Sequence, residues 1–179
     1  MRVINLFSGP GAGKSTTAAG LFNLMKLSGE NVELVTEVAK DFTWQEHWKG
    51  LENQLLILGQ QDSRLQFLDG KVDYVVTDSP LLLGLLYANG RHSKRWFFEA
   101  TVGAFRSYHN ANFFIDRIKP YVSIGRNQTA SEAREIDGRT QAMLGELGEP
   151  YHTITGDREA PYRIYNMIKA QEDLEESMT

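Results

Sequence analysis

A lysine and a serine, Lys14-Ser15, close the stretch Ser8-Gly9-Pro10-Gly11-Ala12-Gly13. Those residue types at that spacing suit one task, the holding of a chain of phosphates. Glycines let successive backbone N–H groups curl inward, and the start of a helix adds its partial positive charge. Lys14 would reach the beta and gamma phosphates, while the Ser15 hydroxyl would meet a magnesium ion that those phosphates carry. Gly9, Pro10, Gly11, Ala12, Gly13, Lys14, Ser15 and Thr16 are therefore expected to bind ATP, with Mg2+ as the accompanying ion. The strict pattern G-x-x-x-x-G-K-[ST] asks for glycine at position 8, where this chain has Ser8 followed by Gly9, so the loop is entered with a different backbone.

Phosphate chemistry also needs acidic partners. Glu37 follows the apolar run Val32-Glu33-Leu34-Val35-Thr36, and Asp78 follows Tyr74-Val75-Val76-Thr77. Ligands of an α/β sheet sit beyond the C-terminal ends of its strands, so both carboxylates would face the glycine-rich turn. Asp78 takes the usual place of the carboxylate that orients magnesium, directly or through water, and Glu37 is then available to accept a proton from a substrate hydroxyl. Either could instead cap the helix that follows, and the two could exchange roles. Positive charge around a migrating phosphoryl group would come from Arg117 and Arg126 in RIKPYVSIGRNQTAS, a polar, basic stretch after the fourth apolar run that reads as a candidate lid over about 117–131.

The elements that must position these residues follow from apolar runs alternating with longer helical patterns, the signature of a parallel sheet covered by helices. Strands are expected at Val3 to Phe7, Val32 to Thr36, Tyr74 to Thr77, Phe113 to Ile115 and Tyr151 to Ile154. Helices are expected at Lys14 to Leu27, Trp44 to Leu68, Ser93 to Tyr108, Ser131 to Leu147 and Ala160 to Leu174. The predicted fold class is thus α/β, a three-layer P-loop NTPase fold with a five-stranded parallel sheet flanked by helices and an arginine-bearing lid, built as one domain over 1–179 with an acidic tail from about 171.

At 179 residues the chain suits one such domain, and its 41% hydrophobic and 23% charged residues are ordinary for a globular protein. No apolar run has the length of a membrane span and no signal peptide precedes the first strand, so a cytoplasmic location is the default. Without cysteine there is no disulfide, thiolate nucleophile or thiolate metal site, and His47, His92, His109 and His152 lack the spacing of a helical zinc pair. A net charge of -4 argues against nucleic-acid binding through overall charge while leaving room for a local basic patch such as Arg91, Lys94, Arg95 and Trp96. No protein partner is implied; Leu81-Leu82-Leu83 and Leu85-Leu86 suit the core first and a homodimer face second.

Taken together, GPGAGKST, TEVAKDFTW and TDSP resemble the P-loop nucleoside and nucleotide kinases, in particular the deoxynucleoside kinase and thymidylate kinase group. That resemblance implies a base near the acceptor hydroxyl at Glu37 with an aromatic neighbour at Trp44, although the proline usual after the glutamate is Val38 here. It further implies that Gln54, Gln61 or Arg64 meets the acceptor's base, and that R-x-K-P-Y-x-x-x-G-R is an arginine-bearing kinase lid. The chain also looks like the small P-loop kinases of tailed bacteriophages, some of which phosphorylate 5-hydroxymethyluracil within phage DNA. The expected function is Mg-dependent transfer of the ATP gamma phosphoryl to a nucleoside-like acceptor, whether that DNA hydroxymethyl group or, alternatively, a free deoxynucleoside or its monophosphate. An ATPase without acceptor is the other reading; a GTPase would show Asn/Thr-Lys-x-Asp, which is absent.

Overall fold

The computed structural model describes residues 1–118, 120–121 and 129–177. The order is β1 (Arg2–Phe7), α1 (Lys14–Leu27), β2 (Val32–Val35), α2 (Val38–Trp44), α3 (Trp48–Glu52), α4 (Gln54–Gln66) and β3 (Tyr74–Thr77). A 3₁₀ turn at Leu81–Leu83 leads into α5 (Gly84–Tyr87), and a second at Gly90–Ser93 precedes α6 (Arg95–Arg106). Then come β4 (His109–Asp116), α7 (Ala130–Leu147), β5 (His152–Thr155) and α8 (Ala160–Ser177). The five strands are all parallel in the order β2-β3-β1-β4-β5. The expected α/β fold is thus the observed one.

Side chains alternate between the faces of a strand, so the sheet feeds two cores. Ile4, Leu6, Val76, Phe113 and Ile115 pack against Leu21 and Met25 of α1 and Ile164 and Ile168 of α8. On the opposite face Val3, Phe7, Val75 and Phe114 meet Leu58 of α4, Phe97 and Phe105 of α6, and Leu144 of α7. Phe7 and Phe105 meet edge to face with centroids 6.3 Å apart. β1, central in the sheet and buried along its whole length, therefore delivers the glycine-rich turn from a fixed platform.

The long helix expected from Trp44 to Leu68 is instead interrupted: α2 ends at Trp44, and the rest of the segment forms α3 and α4. Glu46 adopts a left-handed backbone, φ 53°, directly after α2. The His47 ring then turns back against Phe42, with centroids 5.4 Å apart, and sits where a side chain on Gly50 would have to lie. Asn53 restarts the chain as the cap of α4, its side chain accepting from the Leu56 N–H at 3.3 Å. These breaks fold the segment back over the strand ends; an uninterrupted helix, rising about 1.5 Å per residue, would carry it away. α7 begins slightly earlier than expected because Thr129 and Glu132 form a capping box. The acidic run from residue 171 belongs to α8, where Glu172 and Glu175 face Arg2. Leu81 and Leu82 lie in the core, as expected. No helix among the described residues is long and apolar enough to cross a membrane.

Candidate active site

Beyond the C-terminal ends of the strands lies a cleft of about 520 Å³. Its floor is the glycine-rich turn. Gly11 (φ 77°) and Gly13 (φ 112°) take the left-handed backbone that curls the loop before α1 begins at Lys14. Ser8, where the strict motif has glycine, is 1% exposed and its hydroxyl donates to the Gly9 carbonyl at 3.2 Å. Gly9 cannot be another residue, since a Cβ there would lie 2.3 Å from the Ala133 carbonyl oxygen of α7. The demand for glycine has moved by one position because a helix crosses the loop there. From the other side Gly156, after β5, presses on the loop, and a Cβ on it would lie 3.0 Å from the Ala12 carbonyl oxygen.

Lys14 folds inward, its Nζ donating to the carbonyls of Ser8 at 2.8 Å and Gly9 at 3.0 Å. Burial holds its pKa below the ordinary lysine value, against the pull of the Glu37, Asp78 and Asp137 carboxylates, while the Arg117 charge adds to the lowering. The loop thus holds its lysine in a desolvated place.

Glu37 and Asp78 both line the cleft with Lys14, Ser15 and Thr16. Glu37 stands at the start of α2 without making a side-chain cap. After β3 the turn is closed by Thr77, whose hydroxyl accepts from the Ser79 N–H at 3.1 Å, so Asp78 is not the capping group either. Asp78 is 5% exposed and its Oδ1 has no hydrogen-bond partner among the described residues. A buried carboxylate oxygen without a donor fits a cation. Among the described residues no cluster of three or more His, Asp or Glu side chains could hold a metal alone. The donors present, Ser15 and Asp78, suit magnesium that takes its other ligands from phosphates and water.

Arg117 lies across the loop, its Nη2 donating to the Pro10 carbonyl at 2.9 Å and its Nε to Asp137 at 3.0 Å. Arg126 lies outside the described residues, as does most of the stretch expected as a lid.

The far end of the cleft is aromatic and apolar. Trp44, Trp48, Leu51, Ile57 and Leu83 line it together with Gln54 and Tyr87. Trp44 stands 63% exposed there, beside the opening expected to take an acceptor. The Tyr87 phenol is pushed up to about 12, by burial first and the Glu37 charge second, so it enters the cleft as a neutral donor. Gln54 was within reach of sequence reasoning and does line the cleft. Gln61 and Arg64, by contrast, lie beneath it and not on it. The buried Gln61 amide is used at both ends, accepting from the Val38 N–H at 3.0 Å and donating to the Thr36 carbonyl at 3.2 Å. Arg64 donates to the same Thr36 carbonyl at 3.0 Å and to Asp41 at 2.6 Å. In this structure both residues, expected to meet a base, grip the turn that carries Glu37. Asp137, Tyr87 and Trp48 escaped the sequence reading. In EIDGR an aspartate looks like any polar position of an amphipathic helix, and only the insistence on glycine at position 9 hinted that something crosses there.

Residues 3–160 match a family model described as an AAA domain. No curated protein matches the chain. Among solved structures, the fold is similar to that of deoxyadenosine kinase from M. mycoides with the products dCMP and a flexible dCDP bound. The TM-score is 0.59 over 95% of this chain and 100% of that one, at 16% sequence identity. At that identity the likeness is one of fold.

Proposed function

The chain belongs to the AAA domain family, and on that premise we propose that it is an ATP- and Mg2+-dependent phosphotransferase whose acceptor is a small deoxynucleoside or deoxynucleoside monophosphate. The observation that carries the proposal is the shape of the cleft. It continues from the phosphate loop, past Glu37 and Asp78, into an end walled by Trp44, Trp48 and Gln54. Hydrolysis needs room only for water at that end, whereas the cleft, about 520 Å³ in all, runs on from the phosphate loop to Trp48, Leu51 and Ile57. The fold likeness is to a kinase of a small deoxynucleoside, which puts a free acceptor ahead of a base held in DNA.

In this reading Gly9 to Thr16 hold the triphosphate through backbone N–H groups, and Lys14 meets the outer phosphates. The magnesium ion, held by Ser15 and Asp78, would supply neutralising charge at the phosphates. Trp44 gives the acceptor a ring to lie against, and Gln54 an amide to bond it. The acceptor oxygen forms a bond to the gamma phosphorus as the bridge to ADP breaks; where that oxygen is a hydroxyl its proton passes to Glu37, and a monophosphate oxygen attacks without one to give up. Arg117 and Arg126 stabilise charge spread over the transferring group, with aromatic walls keeping water from competing.

ADP formation measured against a panel of nucleosides, mononucleotides and DNA with or without hydroxymethylated pyrimidines tests the proposal, with Lys14→Ala as control. Stimulation by a deoxynucleoside or its monophosphate is expected. Stimulation by hydroxymethylated DNA alone would transfer the reading to a DNA-base kinase, and turnover indifferent to every acceptor would make the protein an ATPase.

A further inference from the structure

Arg117 does not reach its place unaided. Asp137, on the α7 helix, accepts from Arg117 Nε at 3.0 Å through one oxygen and from Nη2 at 3.3 Å through the other. The second oxygen also accepts from the Gly9 N–H at 2.5 Å. Arg117 Nη2 spends its remaining capacity on the Pro10 carbonyl. Both side chains are largely buried, 11% and 17% exposed. One arm of the guanidinium is left over. Nη1 is buried, has no hydrogen-bond partner among the described residues, and lies 3.4 Å from where a Cβ on Gly11 would stand, over the face of the loop.

We infer that Asp137 is a positioning residue for phosphoryl transfer: it clamps Arg117 across the glycine-rich loop so that Nη1 is held toward the phosphates. The inference rests on the phosphotransferase reading for its catalytic consequence. Its physical basis is the fork of arginine. Two fixed N–H contacts on a carboxylate set the plane of the guanidinium, and a planar group so fixed has its last donors aimed without further ordering. A carboxylate beside a phosphate loop would by itself repel the ligand, so Asp137 is tolerable there because Arg117 neutralises it. One carboxylate also ties α7 to the loop through Gly9, which joins the helix that follows the expected lid to the start of the phosphate site.

Asp137→Asn separates the two contributions, because asparagine keeps an oxygen for the Gly9 N–H and loses the charge that holds Arg117. The four proteins of the cycle, wild type, Asp137→Asn, Arg117→Ala and the double variant, are compared for turnover with saturating acceptor, for ATP affinity by calorimetry and for Tm. Arg117→Ala is expected to lose about a hundredfold in turnover, as for removal of one oriented donor. Asp137→Asn is expected to lose about tenfold in turnover at near-native Tm, with an ATP affinity about threefold or more weaker but no weaker than that of Arg117→Ala. The double variant should be no worse than Arg117→Ala, since both changes remove one unit. Native turnover in Asp137→Asn, or losses that multiply in the double variant, would overturn the inference. So would a fall in turnover matched by a fall in Tm, which marks a purely structural contact. Should the wild type transfer nothing to any acceptor, the functional reading fails by itself. The inference then stands on ATP affinity alone: a coupling of about threefold or more between the two changes supports it, and independent effects refute it.

Discussion

The two ends of the sheet both bury charge, and they treat it in opposite ways. At the N-terminal ends of the strands, α8 lays Glu172 and Glu175 over Arg2 and Tyr74. Lys169 joins them, 2.7 Å from Glu172 and 3.3 Å from Glu30. The Lys169 pKa is raised, chiefly by its bond to Glu172. Burial pushes Glu172 up, but Lys169, Tyr74 and Arg2 together outweigh it and hold the carboxyl below its ordinary value. Even Arg2 Nη1, which makes no hydrogen bond among the described residues, lies 3.6 Å from Glu172. At the C-terminal ends the lysine pKa is lowered instead, and Asp78 Oδ1 and Arg117 Nη1 are buried with no hydrogen-bond partner among the described residues. Charge that is satisfied within the chain holds a fold together; charge that is desolvated and left incomplete is set aside for a ligand.

Changes at the two ends should therefore differ in kind. The largest effect is expected from Lys14→Ala, which removes the cation of the phosphate loop: turnover should fall at least about a hundredfold, with ATP binding weakened in calorimetry. With a hydroxyl acceptor, Glu37→Gln should lower turnover by about a hundredfold and leave ATP affinity intact, a split readable in one kinetic series. Activity equal to wild type would remove Glu37 as the base and hand that role to Asp78. Gly9→Ala pushes a methyl against the Ala133 carbonyl, and the strain should cost about 1–3 kcal/mol in denaturant unfolding as well as impair ATP binding. The smallest effect belongs to the opposite end. Glu172→Gln should cost about 1 kcal/mol or less, a Tm drop of a few degrees, with turnover unaltered. Its pH dependence has a definite sign. The folded pKa of Glu172 is depressed, so the stabilisation is full above 4.5, the ordinary value, and disappears as pH falls through the lower folded value. Thermal melts of the two proteins should accordingly converge in acid.

The same contrast separates what was legible in the sequence from what was not. The phosphate loop, Glu37 and Asp78 could be read because each sits where a strand ends, and strand ends are set by local apolar runs. α1 begins and ends where its glycines and serine place it. Contacts between distant segments left no such trace. Asp137 reaches Gly9 across the fold, and Gln61 reaches back to the Thr36–Val38 turn, each from a polar helical position that local pattern treats as solvent-facing. The breaks around Glu46 and Asn53 were hidden for a related reason. Residues from Trp44 to Leu68 have enough helical spacing to suggest one helix, and the left-handed Glu46 with the His47 ring against Phe42 is a tertiary decision.

The central claim, that the incomplete charges at the C-terminal ends serve transfer to an acceptor, is tested most directly by following the label in a single turnover of gamma-labelled ATP with Mg2+. The acceptor would be the deoxynucleoside or monophosphate that stimulates ADP formation most strongly. The account predicts that the label leaves ATP and appears covalently on that acceptor, and that Lys14→Ala abolishes its appearance. Label recovered only as inorganic phosphate, at the same rate with acceptor present or absent, would contradict it.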